Sequence, residues 1–70
     1  MNNKQMAKEF LKSYYKKYFE AKLSGHDLTA EIHLTRLKGV LDTYIHFDIL
    51  NIAETDLVRL EALKEVQCTQ

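Results

Sequence analysis

Apolar residues recur at helical spacing along most of this chain. At 100° per residue, Met6, Ala7, Phe10, Leu11, Tyr14, Tyr18 and Ala21 share one broad sector with no breaker inside it, which predicts a helix over residues 4–23. Ser24-Gly25-His26-Asp27 is the one sharp punctuation: Gly25 suits the left-handed position after a helix, and Asp27 can cap the next. Beyond it, Ala30, Leu34, Leu37, Leu41 and Tyr44 step by four and three, flanked by Val40 and Ile45, and draw a second helix from about 28 to 47. Asp48 would fall on that apolar face, so the helix ends or bends there. Asn51-Ile52-Ala53-Glu54 has the form of a capping box. It opens a third helix, about 52–66, expected to turn Ala53, Leu57, Leu60 and Leu63 inward and to leave Glu61 and Glu65 in water.

The fold class that follows is all-α: a helical hairpin plus a third, shorter helix, forming a three-helix bundle in a single domain, 1–70. Three short helices with this many large apolar residues expose more apolar surface than a monomer usually shows, so a self-associating chain, a homodimer, is expected. The alternative is an α-β-β-α arrangement with a hairpin around Gly39, because Thr43, Ile45, Phe47 and Ile49 alternate with Tyr44, His46 and Asp48. Against it, Leu37, Val40 and Leu41 break the alternation, and two strands alone make a poor sheet.

Composition narrows the class. With 70 residues, 46% hydrophobic and 29% charged, the chain has material for one small core and is not a disordered polymer. A lone cysteine, Cys68, cannot form an internal disulfide, and a reducing cytoplasm is the simplest compartment. No apolar run approaches the roughly 18 residues a membrane span needs, and the start, Met1 to Gln5, is no signal-peptide core. Ten basic and ten acidic residues cancel, but residues 1–24 hold six Lys against two Glu while the remainder holds four basic against eight acidic residues. Such a split can mark a nucleic-acid-binding arm, or let a basic helix lie on an acidic one in the same molecule or a second copy.

The first helix carries the most informative surface. Lys4, Lys8, Lys12 and Lys16 recur every four residues as a basic ridge, and the same wheel sets Tyr15, Phe19 and Leu23 among them. Ammonium groups interleaved with rings suit a phosphate-bearing strand, which the lysines neutralise and the rings stack on. They equally describe a helix buried on two sides, its lysine stems lying over a second interface. Lys8, Lys12, Tyr15, Lys16, Phe19 and Leu23 are therefore the candidate partner-binding residues, and Lys4, Lys8, Lys12 and Lys16 the candidate nucleic-acid contacts of an alternative reading.

Chemistry is poorly served. His26, His33 and His46 share no i, i+3 or i, i+4 spacing, so no metal site is expected. Asp42 and His46 could pair on one helix face, most simply as a solvated pair. Cys68 lies near the end with nothing to activate it, and Gly25 and Gly39 are isolated rather than part of a phosphate loop, so neither catalysis nor a cofactor is expected. In size and style the chain resembles accessory proteins of phages and mobile elements, a likeness carried by no motif. The expected function is a small protein-interaction module, a regulator or inhibitor that docks a helical aromatic and basic face on a larger protein; the alternative is a nucleic-acid-binding regulator using the lysine ridge.

Overall fold

The computed structural model describes residues 3–68, so Met1 and Asn2 of the amino-terminal stretch discussed above lie outside it, as do Thr69 and Gln70. The described residues form three helices: α1 (Asn3–Leu23), α2 (Asp27–His46) and α3 (Ile52–Cys68). The boundaries match the hydrophobic pattern closely, and α3 runs two residues further than expected. The hairpin alternative is overturned, since residues 40–46 are helical. The β-branched polar side chains of α2 are accommodated on the helix surface, where the Thr35 and Thr43 hydroxyls donate to the Glu31 and Gly39 carbonyls one turn back.

Local chemistry fixes each helix end. At the α1–α2 joint the His26 amide donates to the Ala21 carbonyl at 2.9 Å and the Gly25 amide to Lys22 at 3.1 Å, the paired bonds of a Schellman motif, with Gly25 at φ 77°. Asp27 is not the cap. His26 occupies that position without a side-chain bond, and Asp27 opens the helix, its carboxylate in the first turn where the dipole favours it. The end of α2 repeats the motif: Ile49 donates to Tyr44 at 2.8 Å and Asp48 to Ile45 at 3.2 Å. Here the left-handed residue is Asp48, at φ 56°, so the residue expected to stop the helix does so through its backbone. The capping box forms in full, the Asn51 amide donating to Glu54 Oε1 at 3.0 Å and the Glu54 amide to Asn51 Oδ1 at 2.8 Å.

α1 is the central element: it packs against both α2 and α3, which barely meet each other. The core joins Ala7, Leu11 and Tyr15 of α1 to Leu37 of α2, to Val58 and Ala62 of α3, and to Leu50, a peg from the α2–α3 connection. Two sequence expectations need correction. On α1 the buried sector is rotated toward Tyr15, because α3 covers that side, and Met6 and Phe10 are left about half exposed, at 52% and 51%. On α3 the inward face is Thr55, Val58, Ala62 and Val66, while Leu57 and Leu60 stand outside at 60% and 51% exposure, with Ala53 also exposed. Leu63 is only partly buried. The smaller residues face α1 and the larger ones do not.

Candidate functional site

The lysine ridge meets α3. Lys4 Nζ lies 2.9 Å and Lys8 Nζ 3.9 Å from Glu54 Oε2, and Lys12 and Lys16 approach the two oxygens of Glu65 at 2.8 and 3.6 Å. Because the amino-terminal lysines take Glu54 and the later pair takes Glu65, α1 and α3 run in the same direction, as an up-down-up bundle requires. Glu54 and Glu65 are 11 residues apart, about three helical turns, so both carboxylates fall on one line of α3. That line sets its rotation: with both carboxylates turned to the lysines, Val58 and Ala62 come against α1 and Leu57 is carried away. Glu65 is therefore only partly in water, as an ion-pair partner.

The electrostatics follow from these contacts. Glu54 is held below the ordinary carboxylate range first by the hydrogen bond from the Asn51 backbone amide, then by Lys4. Glu65 is lowered chiefly by its hydrogen bond with Lys12, and the same contact raises Lys12 above the usual lysine value. Glu54 thus has two duties, one oxygen closing the capping box and the other receiving lysines from α1.

The rings among the lysines are also spent inside the chain. Tyr15 is 6% exposed, its ring stacked on Phe19 at 5.9 Å, and burial raises its hydroxyl above the ordinary tyrosine value. Phe19 packs against the core, and only Leu23, at the carboxyl end of α1, is exposed among the apolar members of the expected partner patch. Of the six candidate residues, the structure brings five together with α3 or the core. The physical reason is the one the charge split allowed for, a basic helix lying on an acidic one within the molecule.

The exposed apolar surface lies elsewhere. Between α1 and the end of α2, Met6, Phe10, Tyr44 and Ile49 line an open groove of about 550 Å³. It continues through Phe10 and Tyr44 into a second hollow of about 540 Å³ lined also by Tyr14, Val40 and Arg36. Phe10 and Tyr14 meet edge to face at 5.0 Å, and Lys17 Nζ sits 5.9 Å from the centre of the Tyr14 ring. Aromatic walls with cations at the edge suit an amphipathic helix that carries acidic residues. Sequence reading placed Met6, Phe10 and Tyr14 in the core sector; the signal that could have separated them is the competition of two apolar sectors on α1 for too few facing residues on α2.

A separate hollow of about 440 Å³ on α3 is lined by Leu57, Leu60, Glu61, Leu63, Lys64 and Gln67. Among the described residues no three His, Cys, Asp or Glu side chains come close enough to hold a metal, and no helix is long and apolar enough to cross a membrane. Comparison with protein-family models, curated proteins and solved structures finds no match.

Proposed function

We propose that the chain is a small non-enzymatic protein-interaction module, a regulator or inhibitor that docks on a larger protein through the groove between α1 and α2. One observation carries this reading: Met6, Phe10, Tyr14, Tyr44 and Ile49 form a continuous, open, aromatic-rich surface. Met6, Phe10 and Ile49 stay exposed, with the half-buried rings of Tyr14 and Tyr44 behind them, and supply the desolvatable area on which interface hot spots are built. Lys17 and Arg36 at its edge favour a partner segment with acidic flanks. The nucleic-acid reading rests on four lysines that are drawn toward two carboxylates of α3, Glu54 and Glu65, so the ridge is partly committed within the chain and the geometry lends that reading no added weight.

The test is capture from source-cell lysate with the tagged chain, with and without nuclease, eluted by a salt gradient. The expected result is a protein retained in stoichiometric amount after nuclease and moderate salt, and lost with the double variant Met6→Ala, Phe10→Ala while helicity is unchanged. Capture that survives the double variant defeats the groove as docking site. Material that disappears with nuclease defeats the interaction-module reading and returns the lysines to the centre.

A further inference from the structure

Resting on the docking reading above, we infer that the partner segment is an amphipathic helix bearing carboxylates, laid along α2 and crossing it at Gly39. α2 is the helix that the fold leaves short of packing. It lies against α1 and barely meets α3, and of its 20 residues only Ala30 and Leu37 are buried, where α1 and α3 each bury four. Leu28, Ile32, Arg36, Gly39 and Thr43 are all exposed and, at 100° per residue, share a stripe about 80° wide, whose last three members line the groove.

Gly39 fixes the place. Its backbone is ordinarily helical, and a methyl group built on it would meet nothing within 4 Å, so neither conformation nor packing inside the chain calls for glycine. Glycine in a helix interior nevertheless costs stability relative to alanine. The missing side chain leaves a notch in the groove wall, where a second helix can come closer than the ordinary axial separation of roughly 8–10 Å. The Thr43 hydroxyl beside it is already donated to the Gly39 carbonyl at 2.9 Å, so a partner can cover this surface without stranding that group.

Charge decides the kind of helix. Among the described residues Arg36 is the one charged side chain lining either hollow of the groove, and Lys17 stands over the Tyr14 ring at its edge. Neither cation has an ion pair there, whereas the lysine ridge meets Glu54 and Glu65. The flanking carboxylates turn elsewhere: Glu9 and Glu20 on α1 and Glu31 and Asp42 on α2 fall roughly 75–100° from the middle of the groove face of their helices. Asp42 lines a neighbouring hollow with Ile45, His46 and Phe47. A helix whose apolar stripe is flanked by Asp or Glu suits a face that is both apolar and cationic, and a basic one is repelled.

The test uses the full chain and a displayed library of helix-forming peptides of about 18 residues, five turns, with a fixed Leu and Ala stripe and randomised flanks. Selection should enrich Asp and Glu in the flanks. For a selected peptide made synthetically, fluorescence anisotropy should show roughly tenfold weaker binding to Gly39→Ala, although that variant should melt about 4 °C higher than the wild type. Gly39→Leu, with helicity unchanged because the site is exposed, should not bind it. Arg36→Glu should turn the selected flanks toward Lys. Neutral or basic flanks, no enrichment, or binding that Gly39→Ala leaves intact would overturn the proposal, as would a chain that self-associates and becomes monomeric with Gly39→Leu, which would put a second copy in the groove. A lysate that yields no protein defeats the docking reading, whatever the library selects. Capture that is lost with Met6→Ala, Phe10→Ala yet kept in Gly39→Leu defeats the crossing at Gly39 alone.

Discussion

α1 has two seams, and they are built differently. Toward α2 it meets large apolar residues, Leu37 in the core with Leu34, Val40, Leu41 and Tyr44 around it. Toward α3 it meets small ones, Val58, Ala62 and Val66, and the lost area is replaced by a double row of lysines and glutamates. The first seam joins neighbours in sequence through a three-residue turn and can rely on non-directional burial. The second must place a helix that arrives after a longer excursion, and there directional charge contacts select orientation.

If that contrast is right, the largest effect comes from the apolar seam. Leu37→Ala should cost about 2–5 kcal/mol, most of the stability available to a domain of this size, and Val58→Ala on the other seam, with fewer carbons deleted, about 1–3 kcal/mol. Urea unfolding followed by circular dichroism orders the two; the reverse order would put the weight on the α3 side. The turns come next. Gly25→Ala, at φ 77° with open space around the new methyl, should lose roughly 1 kcal/mol through backbone strain alone. Asp48→Gly, relieving the same conformation at the other joint, should gain a few tenths by thermal melting.

The smallest effect separates the seams most cleanly. Glu54 and Glu65 are lowered in the fold, so their contribution is present above the ordinary value of 4.5 and is lost as pH falls through the lowered values. Lys12 is raised, so its share is present below 10.5 and is lost as pH rises through the raised value. Acidification to about pH 3 should therefore release amide protection in α3 before α2, measured by hydrogen exchange. Equal loss in both helices would mean that charge does not hold α3.

Much of this was legible in the sequence. The helix boundaries, the Gly25 turn and the Asn51–Glu54 box follow from local rules, which act within a few residues and so need no tertiary knowledge. The rotation of α3 did not, because leucines outrank valine and alanine in any apolar ranking and Leu57 and Leu60 looked like core. Rotation is set by Glu54 and Glu65 meeting lysines about 50 positions earlier, a long-range match that periodicity within one helix cannot reveal. Leu50 was missed for a similar reason: it lies in a connection, and only the gap left between the helices makes it core. The ridge and its rings offer two readings in the sequence, a docking face for a larger protein and a helix buried on two sides, and periodicity does not choose between them; the chain's own third helix lies on that face.

The lysine row also works as a ruler with a stop at its end. Four lysines at equal spacing would let α3 slide one turn along α1 and find new partners, but the next position in the row after Lys16 is Glu20. A slide in that direction drives Glu65 toward a like charge. Axial position is thereby measured off by the length of the row, so shortening it at either end, by Lys4→Gln or Lys16→Gln, removes a mark from the scale rather than a brick from the wall.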